Sequence, residues 1–294
     1  MGFIRSLFGQ KKDKVAEKSE LNKEVTQISE ASAKQPSESN LSIGSSTNTG
    51  RQREHNEDAV LTVKSTHLGD EVSELMGLII LADGMGGHQS GEVASSLAAR
   101  TVAHQVIRNI YLPYLVKGHD DLPEQPLEQA LSEAVDEASK MVYNAVPGGG
   151  TTLTCSLIFK DSAVVAHVGD SRAYHYYQGT LRQITKDHSY VDKLVELGKL
   201  TEEEAAVHPQ KNVLYRAVGQ KDLLEVDTYT ETIQSGSRLF LCSDGLWGLV
   251  SDEQISEVLG NSAMTPQAAC ETLVAAANAA GGHDNITAII AEMI

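Results

Sequence analysis

Cysteine, positive charge and long apolar runs are all scarce in this 294-residue chain, and each shortage removes a class of protein. The 3 cysteines, Cys155, Cys242 and Cys270, lie far apart and form no CxxC pair. That excludes a disulfide framework and a Cys-rich zinc site, and suits reduced core thiols in a cytosolic protein. Lys and Arg number 24 against 40 Asp and Glu, giving a formal net charge of −16. A nucleic-acid surface needs clustered cations to neutralise phosphates, so no nucleic-acid partner is expected. No apolar run approaches the roughly 18 residues of a spanning helix. An acid excess of this size suits a protein that holds cations.

Large apolar residues are also sparse between residues 9 and 50, a stretch rich in Lys, Glu, Ser, Gln and Asn that reads as disordered. The expected organisation is a disordered tail over 1–44 and one folded domain over 45–294. The extreme N-terminus differs from the rest of the tail. Phe3, Ile4, Leu7 and Phe8 share a helical face beside Arg5, Lys11, Lys12 and Lys14, a pattern for weak contact with a membrane surface. A solvated leader with chance apolar residues fits equally well. The stretch is too short for a signal peptide. Gly2 and Ser6 match the myristoylation pattern, which six residues often do by chance.

Within the folded part, β-branched or continuously apolar runs bounded by turn residues predict strands over 58–64, 77–82, 152–159, 163–168, 172–177, 224–230, 237–242 and 285–292. Helical periodicity occupies 90–110, 125–146, 188–198, 201–207, 251–259 and 265–280. In the second of these, Leu127, Leu131, Ala134, Ala138, Met141 and Val142 make one apolar stripe. The strands come in consecutive groups instead of alternating with helices, which predicts an α+β fold of layered sheets flanked by helices, not a Rossmann-type sheet.

Acids stand at the lips of several of these strands. "LIILADGMGG" places Asp83 where an apolar run meets a glycine turn, and "SRLFLCSDGLWG" does the same for Asp244. "GGHDNITAII" is the converse, with Asp284 and Asn285 opening a strand, and "RQREHNEDAVLTV" puts Glu57 and Asp58 before another. Alone, each has a plain reading as a turn or a solvated side chain. Together they are harder to dismiss. Converging carboxylates repel unless a cation neutralises them, and oxygen-only ligands favour hard ions such as Mg²⁺ or Mn²⁺. Glycines beside the acids, Gly84 and Gly245, leave room for backbone and water to approach a metal. Such a set suits a two-metal hydrolytic site.

The stretches "RxxNED", "ADGMGGHxxGEVAS", "GTT", "VGDSRAY", "TKDHS", "CSDGLW" and "GGHDNIT" occur in the order seen in the metal-dependent protein phosphatases of type 2C. The chain resembles that family from about residue 45 to its C-terminus, and in particular its bacterial serine/threonine phosphatases, which oppose Hanks-type kinases. The resemblance implies a four-layer αββα sandwich, two mixed β-sheets with helices outside. It implies a serine/threonine phosphoprotein phosphatase with two Mn²⁺ or Mg²⁺ ions per subunit and a metal-activated water as nucleophile. Asp83 would bridge the metals and the Gly84 carbonyl would complete one sphere. Asp244 and Asp284 would bind one metal and Glu57 the other through water, while Asp58 would orient metal-bound water. Arg53 would grip the substrate phosphate, where a planar bidentate donor is suited, and its loss would leave metal affinity nearly unchanged. Arg172 reads as an internal ion-pair partner, and Gly150, Thr151 and Thr152 as a tight strand entry.

Two departures stand out. Met85 follows Asp-Gly where eukaryotic members carry His, so the proton for the leaving oxygen falls to a water on the metal or to His88. Many bacterial members place an acid for a third metal before the "MGTT"-like turn, but here Gly148 stands there. That argues against a third ion, with Asp222 the one residue that could still contribute. Residues 185–219 resemble the family's flap, two short helices meeting the substrate; a purely structural insertion is the alternative. Expected partners are phosphoprotein substrates and a serine/threonine kinase, with the protein a cytoplasmic monomer. A catalytically dead phosphoprotein-binding relative and a two-metal nucleotide or nucleic-acid hydrolase are the competing readings. The full set of acids opposes the first, and the missing basic patch opposes the second.

Overall fold

The run Leu78 to Leu81 is apolar at every position, although a strand turns successive side chains to opposite faces. In the computed structural model both faces are covered, and that stacks the layers. Leu78 and Ile80 pack with Ala98, Val102, Leu131 and Val135 of two helices. Ile79 and Leu81 pack with Leu239, Leu241 and Ile289 of a second sheet. On that sheet's far side Phe240 and Ile290 meet Ile255, Leu273 and Val274 of two further helices. The order is therefore helix, sheet, sheet, helix: a four-layer α+β sandwich, as the grouped strands predicted. The structure describes residues 40–68, 73–86, 89–117, 125–221 and 224–294.

In chain order the elements are β1 (Leu41–Asn48), β2 (Asp58–Leu68), β3 (Ser73–Met85), α1 (Gln89–Val106), α2 (Leu112–Lys117), α3 (Leu127–Ala145), β4 (Gly150–Thr151), β5 (Leu153–Phe159) and β6 (Ser162–Val168). Then come β7 (Arg172–Tyr177), β8 (Thr180–Gln183), α4 (Tyr190–Glu196), α5 (Glu202–Ala206), β9 (Asp227–Thr232), β10 (Arg238–Cys242), α6 (Asp244–Trp247), α7 (Asp252–Gly260), α8 (Pro266–Ala279) and β11 (Ile286–Met293). A π-helical turn, Ile107–Tyr111, joins α1 to α2.

One sheet runs β1-β11-β10-β7-β8 and the other β2-β3-β5-β6-β9, with β4 on β3. Every strand pairing described is antiparallel, so the sheets are not mixed. The cause is connectivity. Short turns join β5 to β6 and β7 to β8, which forces antiparallel neighbours. Between β3 and β5 the chain leaves along α1 and returns along α3, re-entering the sheet at the end it left.

Residues 41–44, placed in the tail by composition, belong to β1, which pairs with β11 from Leu41 opposite Met293. Leu41 is buried in the core between the sheets. Ser, Gly and Thr dominate this edge strand, which hides it from an apolar-pattern reading. In α3 the buried stripe is Leu131, Ala134, Val135, Ala138, Ser139 and Val142, whereas Met141 is exposed. Two short helices stand in residues 185–219, α4 and α5, each preceded by a capping residue, Ser189 and Thr201, whose side chains accept the Asp192 and Glu204 N–H groups.

Candidate metal and phosphate site

Both sheets deliver acids to one edge of the sandwich. Asp58 begins β2 and pairs directly with Asp83 near the end of β3. The backbone of Asp83 is held from β4 and the residue after it: its N–H donates to Thr152 Oγ1 at 3.0 Å, and its carbonyl accepts from Thr152 N at 2.8 Å and Thr151 Oγ1 at 2.9 Å. Gly84 follows, its N–H on the Glu57 carbonyl at 3.1 Å. A Cβ on Gly84 would lie 2.3 Å from the Gly91 carbonyl oxygen, so only glycine lets α1 approach this turn.

Asn285 ties the first acidic segment to the last. Its side chain accepts the Glu57 N–H at 2.8 Å and donates to the carbonyls of Thr49 and His55, both at 2.9 Å. The 49–57 turn thus lies against the start of β11, and Arg53 Nη2 reaches Asp284 Oδ2 at 2.7 Å. Asp244 opens α6 beside it. A Cβ on Gly245 would come within 2.1 Å of the Asn285 carbonyl oxygen, which shows how tightly the Asp244 and Asp284 segments pack.

The electrostatics follow from this crowding. Burial raises the Asp83 carboxyl well above the usual range, and the charges of Asp58, Asp244, Asp170 and Asp284 raise it further. Asp58 is pushed up to about 7, first by burial, with a hydrogen bond from Thr287 pulling against it. Thr287 Oγ1 donates to Asp58 Oδ2 at 2.6 Å, while the buried Oδ1 has no hydrogen-bond partner among the described residues. Asp244 is pushed up to about 6 by burial and then by Asp284. Glu57 is raised by burial, with Arg53 opposing. Sequence reading missed Asp170, whose carboxyl burial and Asp244 also hold well above its ordinary range. The signal was partial: "VGDSRAY" also puts an acid and a glycine at the end of an apolar strand, but with the glycine before the acid. Asp222 and His88 lie outside the described residues.

Among the described residues, no three His, Cys, Asp or Glu side chains are drawn into a ready metal cage. Asp284 is turned to Arg53 and Asp58 to Thr287. The donor set nevertheless fits divalent ions. It is all oxygen, its members repel one another, and Asp58 Oδ1 is a buried acceptor with nothing to accept.

A cleft of about 750 Å³ runs from Asp244, His283 and Asp284 past Trp247 to Lys186 and Lys211, on either side of α4 and α5. Arg172 braces its wall as an internal ion-pair partner, forked onto Asp187 with Nη2 to Oδ2 at 2.9 Å and stacked 3.6 Å from the Trp247 ring centre. His188 anchors the segment leading into α4: its Nδ1 accepts the Gly169 N–H at 3.0 Å, beside Asp170.

The profile of the protein phosphatase 2C family matches residues 26–286. The chain belongs to that family. It is 36% identical over 263 residues to protein phosphatase PhpP of Streptococcus pneumoniae, spanning 86% of this chain and 98% of that one. It is 35% identical over 252 residues to the serine/threonine phosphatase stp of Listeria monocytogenes serotype 4b, spanning 84% and 93%. Among solved structures, a Streptococcus agalactiae serine/threonine phosphatase aligns with a TM-score of 0.73 at 31% identity, covering 87% of this chain and 100% of that one. The catalytic domain of the phosphatase PstP in complex with 2 manganese ions aligns with a TM-score of 0.68 at 33% identity, covering 86% and 98%. This protein phosphatase 2C member is a metal-dependent serine/threonine phosphoprotein phosphatase.

Proposed function

We propose that Asp83, Asp244, Asp284 and, through water, Glu57 hold two divalent cations, Mn²⁺ or Mg²⁺, with the Gly84 carbonyl completing the set. The observation that carries this is the cross-strand pairing of Asp58 with Asp83, two half-buried acids whose charges Asp244 from the other sheet also opposes. Burying like charges without a counter-ion is costly, so the arrangement calls for cations. Bound there, the ions would supply a water nucleophile and neutralise charge on the phosphoryl group.

The chain's own residues do the rest. Asp58, fixed by Thr287, would orient the attacking water through Oδ1. Arg53, half exposed beside Asp284, offers a planar fork to the phosphate. The flap and the Trp247 segment receive the chain on which the phosphate stands. No Cys or Ser is offered as a nucleophile: the three cysteines are buried thiols, Ser243 Oγ is engaged by the Asn285 carbonyl and the Thr287 N–H, and water attacks directly.

The proposal extends to a serine/threonine kinase as the enzyme's counterpart, and to a cytoplasmic monomer. No helix among the described residues is long and apolar enough to cross a membrane. The first 14 residues carry four basic and one acidic residue beside Phe3, Ile4, Leu7 and Phe8, which supports weak, reversible membrane-surface contact. Co-sedimentation with anionic vesicles at low salt tests that contact; a protein that stays in the supernatant has none. The activity itself is tested on phosphoserine, phosphothreonine and phosphotyrosine peptides with Mn²⁺ or chelator. Release from the first two only, and only with the ion, is expected; equal release in chelator contradicts it.

A further inference from the structure

Arg53 is a cation standing among carboxylates. Its Nη2 lies 2.7 Å from Asp284 Oδ2, and its positive charge is reinforced chiefly by that hydrogen bond and also by Glu57 and Asp244. The other oxygen of the same carboxylate, Asp284 Oδ1, accepts the N–H of Asn285 at 2.8 Å. Both oxygens of this acid therefore already have partners.

The two partners differ in how easily they leave. Asn285 is buried backbone at the start of β11, whereas the Arg53 side chain is 52% exposed. The main chain around Arg53 is pinned on both sides. Arg51 N–H donates to the Gly282 carbonyl at 2.8 Å, and Asn285 holds the carbonyls of Thr49 and His55. Even Gln52 is tied, its Nε2 lying 2.6 Å from His283 Nδ1. Movement is thus confined to the arginine side chain, which swings from a fixed point.

We propose that Arg53 and a divalent cation compete for Asp284, and that a cation taking Asp284 releases the guanidinium to the substrate phosphate. This rests on the reading of Arg53 as the phosphate ligand. The sequence alone keeps the two roles separate; the ion pair joins them. Before phosphate binds, Arg53 lowers the affinity of the Asp284 cation twice over, by occupying Oδ2 and by like-charge repulsion. Phosphate draws the guanidinium away and so strengthens cation binding. Linkage makes the effect reciprocal: the cation strengthens phosphate binding by the same factor. Arg53 is on this reading a positioning residue for the metal as well as a ligand for the substrate.

Calorimetric titration of Mn²⁺ into the full-length, chelator-stripped protein tests this, with and without phenylphosphonate, a non-hydrolysable phosphomonoester analogue. Arg53→Ala should tighten Mn²⁺ about threefold to tenfold without the analogue, the range an exposed ion pair plus one lost charge allows. Arg53→Lys keeps a cation at Asp284 and should stay within about twofold of the parent. The analogue should tighten Mn²⁺ more in the parent than in Arg53→Ala. If Arg53→Ala binds Mn²⁺ no more tightly but loses affinity for the analogue, the competition is overturned and the phosphate role stands. If it binds the analogue as well as the parent does, the phosphate role falls, and with it the coupling between phosphate and the Asp284 cation.

Discussion

Asp58 and Asp83 are direct cross-strand partners where β2 and β3 enter the site, and both lie in a setting that disfavours charge. Cross-strand neighbours of like charge destabilise a sheet pair. Asp83→Asn removes one of those charges and keeps the shape. It should abolish divalent-dependent turnover while raising the melting temperature in excess chelator by about 2–4 °C, the shift expected for roughly 1 kcal/mol in a domain of this size. Calorimetry in chelator checks the second half. An unchanged or lower melting temperature would show that the carboxylates do not strain the fold.

Asn285 is the clasp between the 49–57 turn and β11. Asn285→Ala leaves a Glu57 N–H and two carbonyls without their partner, each costing about 1–3 kcal/mol if it stays buried. The turn will admit some water, so a net loss of about 2–4 kcal/mol is expected, read by urea unfolding. KM for a phosphopeptide should rise as well, because Arg53 rides on the released turn. A variant of parent stability would mean the turn is held by its other contacts.

Gly245 leaves no space for a side chain. Its Cβ would sit 2.1 Å from the Asn285 carbonyl oxygen and 3.2 Å from Asp284 Cβ. Backbone cannot yield as a flexible side chain can, so Gly245→Ala must part α6 from the start of β11. Metal affinity should fall by tenfold or more, about 1.4 kcal/mol, since Asp244 moves relative to Asp284. Titration with Mn²⁺ monitored by calorimetry decides it, and affinity within about twofold of the parent would contradict the packing described.

His167 gives the fold a pH response separate from the carboxylates. It is fully buried, bonded to Thr154 Oγ1 at 2.9 Å and to the Lys186 carbonyl at 3.1 Å. Burial, then the neighbouring His188, lowers its pKa from 6.5 to about 3. The unfolded chain therefore takes up a proton that the folded chain refuses. This contribution is fully present above pH 6.5 and is lost as the pH falls toward 3, at up to about 1.4 kcal/mol per pH unit. Comparing the parent with His167→Gln in chelator between pH 4 and 7 isolates it from the acids, which titrate in both proteins. The parent should show the steeper loss on acidification; parallel curves would mean that His167 is protonated in the fold.

Much of this site was legible because its acids share one local signature, an apolar strand ending in Asp-Gly or opening from Asp-Asn. Asp83, Asp244 and Asp284 follow it, and the structure brings their segments to one edge. Asp170 departs from it, because its glycine precedes the acid in Val168-Gly169-Asp170-Ser171. The missed elements are those without an apolar pattern. Strand β1 is mostly small and polar, and β8 has exposed positions along its length. Strand direction was legible only from the short turns, as between β5 and β6, because a buried antiparallel strand such as β5, covered on both faces, carries the same continuous apolar run as a parallel one. The Arg53–Asp284 pair lay equally out of reach, since 231 residues separate its members in sequence.

The central claim is that carboxylates gathered at these strand ends hold the ions on which hydrolysis depends. The most direct measurement titrates Mn²⁺ into chelator-stripped protein and follows, in the same samples, bound metal per chain and phosphate released from a phosphothreonine peptide. Turnover should be absent at the start and rise as the chain fills toward two ions, with Asp83→Asn and Asp244→Asn both failing to fill or to turn over. Full turnover before any ion is bound, or parent-like filling and turnover in both variants, would contradict it.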